Sequence, residues 1–263
     1  MVHFVGAGCG APDLITVRGQ RLLEEADVII YAGSLVNPAL LEAKKDNCKV
    51  YNSAEMTLEE VIEAMQQAER AGLTTVRLHT GDPCLYGAVR EQMDALEQLG
   101  ISYDSCPGVS SLCGAAASLN LEYTLPGISQ SVILTRMAGK TAVPEKESIE
   151  SFAAHRATMV LFLSAGMPSE LSARLIAGGY TSETPAAIVY KASWPEEEAQ
   201  ICTVGTLAET AERCGIHKTA LILVGDAILH SNYRRSDLYN PAFETEYRKK
   251  AASFRNLPLQ PQT

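Results

Sequence analysis

The chain of 263 residues has none of the sequence features of a metal centre, a disulfide scaffold or a membrane span. Its seven cysteines, Cys9, Cys48, Cys84, Cys106, Cys113, Cys202 and Cys214, are odd in number and form no C-x-x-C pair, and its five histidines do not cluster. That spacing excludes a zinc site and a disulfide framework and leaves mostly buried, reduced thiols. No run approaches the roughly 18 apolar residues that a spanning helix needs. The first residues pass straight into the strand-like run Val2-His3-Phe4-Val5, which predicts no signal peptide and a cytoplasmic protein. Basic residues are in deficit, 22 against 31 acidic, for a net charge of −9. A surface of that sign excludes non-specific nucleic-acid binding as the main activity.

What is present is an ordinary globular composition, 46% hydrophobic and 20% charged, sufficient for one large or two small cores. Strand and helix patterns alternate through the first half. Strands are predicted at about 2–6, 27–31, 49–51, 74–79 and 101–105. Helices are predicted over 13–25, after Asn37-Pro38, over 57–71, from Ala88 to about Gly100, and over 109–119. Thr57 followed by Glu60 is a capping box, and Gly72 stands where that helix must stop. Strands alternating with helices imply a mostly parallel sheet. The second half keeps α/β character, with strands at about 132–135, 158–164, 185–190, 200–204 and 219–224. The domains are predicted as 1–119 and 120–235, followed by a polar, proline-punctuated tail, 236–263, of partly irregular structure.

Two glycine-bearing turns stand at predicted strand ends, where open α/β sheets bind ligands. The first, Gly6-Ala7-Gly8-Cys9-Gly10-Ala11, formally satisfies the dinucleotide fingerprint G-x-G-x-x-[GA]. That reading requires an acid at the end of the second strand to hold a ribose, but the strand ends Tyr31-Ala32-Gly33-Ser34. Without a lysine the turn is not a P-loop either. A tight turn needed only for packing stays open as an alternative. The second turn is Thr80-Gly81-Asp82-Pro83, with Cys84-Leu85-Tyr86-Gly87 after it. Gly81 permits close backbone approach, Pro83 fixes the turn, and Asp82 sets an acceptor at the edge. Two such turns with nothing suited to phosphate chemistry point to a small-molecule transferase.

Val5-Gly6-Ala7-Gly8 with Leu14, Thr16 and Gly19, then Thr80-Gly81-Asp82-Pro83, then Pro107-Gly108-Val109-Ser110-Ser111, together resemble the tetrapyrrole (corrin and porphyrin) methylases over about residues 2–230. Tyr31 to Pro38, Thr135-Arg136 with Gly139-Lys140-Thr141 and Pro144-Glu145, and Tyr190-Lys191-Ala192-Ser193-Trp194-Pro195 resemble, more narrowly, the precorrin-4 and cobalt-precorrin-4 C11-methyltransferases of cobalamin synthesis. The resemblance implies two αβα domains with a cleft between them, S-adenosylmethionine as methyl donor, a tetrapyrrole substrate and a homodimer. Methylation at another ring position, another substrate of the superfamily, and a non-catalytic tetrapyrrole carrier remain open alternatives.

By the same resemblance the donor lies against Thr80, Gly81, Asp82, Leu85 and Tyr86, with Ser110, Ser111, Leu163, Ala192, Thr219 and Ala220. The first turn, Gly8, Cys9 and Gly10, faces the tetrapyrrole together with Tyr31, Ser34, Arg136 and Lys191. Arg18 and Arg90 are further partners for the substrate's carboxylates, because an Arg fork suits a carboxylate. His79 is the candidate for moving a proton, against the reading that a strand-end histidine is structural. Many members of the family read Gly-Pro-Gly where this chain reads Gly8-Cys9-Gly10, so the turn loses a fixed φ and gains a thiol. Methyl transfer from a sulfonium is an in-line displacement from an activated donor, which fits the absence of a Ser-His-Asp or paired-carboxylate constellation.

Overall fold

The computed structural model describes residues 1–240 and 242–249. The chain divides into two compact units. Unit 1 holds Met1–Ser118 together with Tyr190–Glu198, and unit 2 holds Leu119–Val189 and the described residues from Ala199 on. Sequence patterning did not separate the short segment 190–198 from its neighbours.

Unit 1 is built on a five-stranded sheet in the order β3-β2-β4-β1-β5. The strands are β1 (Val2–Gly6), β2 (Val28–Tyr31), β3 (Lys49–Asn52), β4 (Thr75–His79) and β5 (Tyr103–Cys106). β1 pairs in parallel with β4 and β5, and β2 with β3 and β4. Alternate side chains leave opposite faces. Val5, Ile29, Val76 and Leu78 meet Leu23 of helix α1 (Val17–Glu25) on one face. Val2, Phe4, Val28 and Ile30 meet Val61 and Met65 of α2 (Leu58–Arg70) and Leu96 of α3 (Arg90–Gln98) on the other. Helices cover both faces, which gives the αβα layering.

Local chemistry sets the helix ends. In the capping box of α2 the Thr57 hydroxyl accepts from Glu60 N–H at 3.3 Å and the Glu60 carboxylate accepts from Thr57 N–H at 2.7 Å. The helix predicted over 13–25 forms in two pieces, a 3₁₀ turn at Pro12–Leu14 and then α1. The cause is Thr16, which stays extended and caps α1 by accepting from Gly19 N–H at 3.1 Å. α3 starts at Arg90, later than the pattern predicts, because Tyr86 and Ala88 adopt left-handed backbone angles of φ 57° and 48°.

Unit 2 carries a second five-stranded sheet, in the order β6-β7-β10-β8-β9. Its strands are β6 (Val132–Arg136), β7 (Thr158–Phe162), β8 (Pro185–Tyr190), β9 (Glu198–Thr203) and β10 (Ala220–Val224). β6 and β7 are parallel, whereas β10 runs antiparallel to β7. Helices α5 (Ile149–Ala153), α6 (Pro168–Gly178) and α7 (Leu207–Arg213) lie between the strands in sequence, and α4 (Ser111–Ser118) ends unit 1's first segment. In the described part of the tail one 3₁₀ turn, Asp237–Tyr239, is followed by residues without regular secondary structure. Ser236 caps Asp237–Tyr239, and Arg248 Nη2 donates to the carbonyls of Leu238, Asn240 and Phe243. The rest of the tail expected to be partly irregular, 241 and 250–263, lies outside the described residues. Among the described residues no helix is long and apolar enough to cross a membrane.

Candidate functional site

Because β1, β4 and β5 are parallel neighbours, the turns that follow them emerge at one edge of the unit 1 sheet. Gly8 and Gly81 exchange backbone hydrogen bonds, Gly8 N–H to Gly81 O at 3.2 Å and Gly81 N–H to Gly8 O at 2.8 Å. A Cβ on Gly6 would fall 2.6 Å from both Gly108 Cα and Gly81 O, so the three backbones touch where side chains would separate them. Asp82 fastens the same junction. Its Oδ1 accepts from Cys84 N–H at 2.8 Å and its Oδ2 from Gly108 N–H at 2.9 Å. Burial opposes the charge, but the Cys84 thiol and amide and the Gly108 amide outweigh it and hold the carboxyl below its ordinary pKa. The sequence singled out Asp82 as a donor contact. In the structure one of its oxygens closes its own turn and the other ties that turn to the one after β5.

The other residues expected at the donor edge follow around this junction. Thr80 is exposed, and Ser110 is buried with its Oγ accepting from Leu112 N–H at 3.5 Å, at the start of α4. Ser111 N lies 3.5 Å from where a Gly81 Cβ would stand. Thr80, Leu85, Tyr86, Gly87 and Ala88 wall one side of a cavity of about 280 Å³, and Ala32, Leu35, Met56 and Val61 wall another. Its lining is mixed, with Ser53, Thr57, Arg77, His79, Thr80, Glu91 and Gln92 set among the apolar residues. A larger groove of about 520 Å³ in unit 2, among Glu122, Gln130, Tyr233, Arg234 and Tyr239, contains none of the residues nominated from sequence.

His79 also lines the cavity, but its side chain is buried, 4% exposed, and stacked on Phe4 with ring centroids 6.3 Å apart. Its Nε2 has no hydrogen-bond partner. Burial, reinforced by the nearby Arg77 guanidinium, lowers its pKa to about 3. The imidazole is therefore neutral throughout the working range. Between about pH 3 and 6.5 the unfolded chain holds a proton on His79 that the folded chain does not, so stability falls as pH drops below about 6.5. At pH 5 that loss is about 2 kcal/mol. A His79→Leu variant is expected to lose that much less stability than wild type between pH 7 and pH 5 in urea titrations. Equal losses would refute the assignment. Arg77 is likewise buried, and desolvation lowers its pKa to about 10, so it stays charged. Its Nε donates to Gln92 Oε1 at 3.0 Å and its Nη1 to Ile30 O at 3.1 Å.

The first glycine turn is held from outside as well. Asn37 Nδ2 donates to Gly10 O at 2.9 Å, and the Trp194 indole lies so close that a Cβ on Gly10 would stand 2.1 Å from its Cδ1. Cys9 is buried, with its Sγ accepting from Ser193 Oγ at 3.3 Å, so the thiol is a packed and bonded group. Lys191 sits with its Nζ 5.2 Å from the centre of the Trp194 ring and 5.7 Å from that of Tyr190, and pairs with Glu196 at 3.5 Å. Ala192 is buried beside Gly114. Tyr31 ends β2, where its carbonyl accepts from Ser53 Oγ at 3.0 Å, and Ser34 is exposed.

Leu163, Thr219, Ala220 and Arg136 belong to unit 2. The antiparallel register, with Leu161 opposite Ile222, brings Leu163 and Ala220 to one edge of the sheet, and Arg136 ends the neighbouring strand beside Phe162. Leu163 is 67% exposed, unusual for a leucine at a strand end. Arg136 donates from Nη1 to Met137 O and Thr141 O and from Nη2 to Ala142 O, so much of its fork holds its own loop. Arg90, read from sequence as a carboxylate partner, is committed to Asp94 and Glu97 on its own helix. Arg18 is exposed. Four of the nominated residues, Tyr86, Leu163, Lys191 and Thr219, have left-handed backbones (φ 57°, 52°, 45° and 56°). Such conformations are costly for residues with a Cβ and concentrate at functional sites. Sequence reading passed over Ser193, Trp194 and Asn37 as members of the site, since nothing local marks a partner so distant in the chain.

A model of the family Tetrapyrrole (Corrin/Porphyrin) Methylases matches residues 1–208. A cobalt-precorrin-4 C(11)-methyltransferase of Methanocaldococcus jannaschii is 51% identical over 253 residues, 96% of this chain and 98% of that one. The solved structure of a cobalt precorrin-4 methyltransferase, described as a cobalamin biosynthetic enzyme, aligns with a TM-score of 0.85 at 43% identity, over 86% of this chain and 95% of that one. A uroporphyrin-III C-methyltransferase from Thermus thermophilus, solved in complex with S-adenosylhomocysteine, aligns at 0.72 and 27% identity, over 86% of this chain and 98% of that one. With its welded glycine turns and a family match over most of its length, this chain belongs to the tetrapyrrole methylases.

Proposed function

We propose that this chain transfers a methyl group from S-adenosylmethionine to C11 of precorrin-4, or of its cobalt-bearing form, in corrin ring synthesis. The observation that carries the reading is the nearly full-length similarity to the Methanocaldococcus cobalt-precorrin-4 C(11)-methyltransferase. The residues at the β4 edge fit the donor. Gly81 leaves the Ser110–Ser111 backbone open to close approach, the exposed Thr80 offers a hydroxyl, and the cavity beside Thr80, Leu85 and Tyr86 combines apolar walls with polar groups. When bound, the donor supplies a methyl already activated on a sulfonium. What remains for the protein is to hold two reactants in line and exclude water.

On this reading Thr80, Gly81, Leu85, Tyr86, Ser110 and Ser111 hold the donor, and Asp82 keeps their turns together. Gly8, Cys9 and Gly10, all three buried, shape the tetrapyrrole side of the unit from beneath, with Tyr31, Ser34 and Lys191 in the same unit. His79, neutral and stacked in the core, contributes packing and no charge. A cytoplasmic homodimer is part of the proposal and rests on the resemblance alone.

The test is an anaerobic incubation with precorrin-4, with and without cobalt, using donor labelled with ¹³C at the methyl. One labelled methyl at C11 by mass and carbon NMR is the expected result, and the preferred metal state names the substrate. Measurable S-adenosylhomocysteine binding without transfer would overturn the ring position or the substrate. Failure of both would leave a carrier.

A further inference from the structure

The segment Tyr190–Glu198 leaves the second half of the chain and packs within unit 1. Ser193 is its fastening point. The hydroxyl oxygen accepts from Ala11 N–H at 3.0 Å, and the hydroxyl donates to Cys9 Sγ at 3.3 Å. One side chain thus closes on both flanks of Gly10. Ser193 does so from a left-handed backbone, φ 64°, a conformation that persists only where the surroundings over-determine it.

Those surroundings are on hand. Glu197 accepts from Ser193 N–H, Trp194 N–H donates to Lys191 O at 2.9 Å, and Glu197 N–H donates to Trp194 O at 3.0 Å. The Trp194 ring then bears on Gly10, while Asn37 holds the Gly10 carbonyl. Nothing in Gly8-Cys9-Gly10 itself fixes its backbone angles. Gly81 pairs with Gly8 and Asn37 holds the Gly10 carbonyl, and the constraint at Cys9 and Ala11 comes from the distant segment.

We infer that Ser193 is a positioning residue for the tetrapyrrole: it locks the Gly8–Ala11 turn and thereby sets the edge against which the macrocycle lies. The inference rests on the proposed assignment of that turn to the tetrapyrrole. Gly81 of the donor turn pairs with Gly8, but the donor turn keeps its own fastening through Asp82 and Gly108, which Ser193 does not touch, so loss of Ser193 should reach the tetrapyrrole more than the donor.

Ser193→Gly removes the hydroxyl and relieves the left-handed backbone, so the loss is not confounded with strain. Ser193→Asn tolerates the same backbone and restores an acceptor. For Ser193→Gly, exchange of the Ala11 amide should accelerate at least about 10-fold, and the KM for precorrin-4 should rise about 10-fold, the loss of one or two neutral hydrogen bonds. The Kd for S-adenosylhomocysteine should stay within about twofold and kcat should change less than KM, because the donor turn keeps its own fastening. Ser193→Asn should recover part of the KM. Binding of uroporphyrin, a polycarboxylate tetrapyrrole that needs no turnover, should weaken in parallel. Faster Ala11 exchange with unchanged KM and uroporphyrin affinity would overturn the inference, as would a donor Kd that moves with KM. If the wild-type protein methylates no precorrin-4, the proposed function fails, and uroporphyrin affinity alone decides the role of Ser193.

Discussion

Gly108→Ala is expected to raise the Kd for S-adenosylhomocysteine by at least about 1000-fold, the equivalent of roughly 4 kcal/mol. A Cβ at this position would lie 2.2 Å from Gly81 O and 2.7 Å from Gly6 Cα. Every atom in the way is backbone, so no side chain can rotate to make room. The β1, β4 and β5 turns would have to part, breaking the paired bonds between Gly8 and Gly81 and the bond from Gly108 N–H to Asp82. Gly100→Ala is the control. It too places a Cβ on a glycine of unit 1, at φ 67°, but nothing lies within 4 Å of it. That variant should lose a little stability from its backbone strain and bind donor like wild type. Calorimetric titration separates the two, and normal donor binding by Gly108→Ala would show that the close approach of the three turns is dispensable.

The parts of this fold that depend on local chemistry could be read directly from the chain. The strand at 27–31, the Thr57–Glu60 box and the glycine-bearing turns are each encoded within a few residues, and the structure realises them. The parts that depend on distance were not legible. Ser193 reaches Ala11 across 182 positions, and no periodicity reports such a pairing. The start of α3 was misplaced because Ala88 reads as a good helix former, whereas the structure gives it a left-handed backbone, a preference set by tertiary context. For the charged residues, type was legible and commitment was not. Arg90 and Arg136 both suit a carboxylate, yet one is paired with Asp94 and Glu97 and the other holds carbonyls of its own loop.

Asp82→Ala should weaken S-adenosylhomocysteine binding by about 100-fold, although no direct contact with the donor is needed for that effect. The carboxylate accepts two backbone amides, and hydrogen bonds to a charged acceptor contribute about 1.5–3 kcal/mol each, of which partial exposure leaves about half. A total near 3 kcal/mol corresponds to about two decades in Kd. Asp82→Asn distinguishes turn-fastening from a purely charge-based role. Its single carbonyl oxygen can satisfy one amide, while its NH₂ must face the other donor, so the loss should be smaller but real, about 10-fold. Because the folded pKa of Asp82 is depressed, the bridge is complete above the ordinary carboxylate pKa of about 3.9 and is lost only as pH falls through the lower folded value. Donor affinity measured between pH 6 and 8 should therefore owe no pH dependence to this group. Hydrogen exchange at the Gly108 amide is the accompanying readout. If Asp82→Ala binds donor normally while that amide exchanges freely, the bridge between the turns is intact chemistry without functional consequence, and the donor edge lies elsewhere.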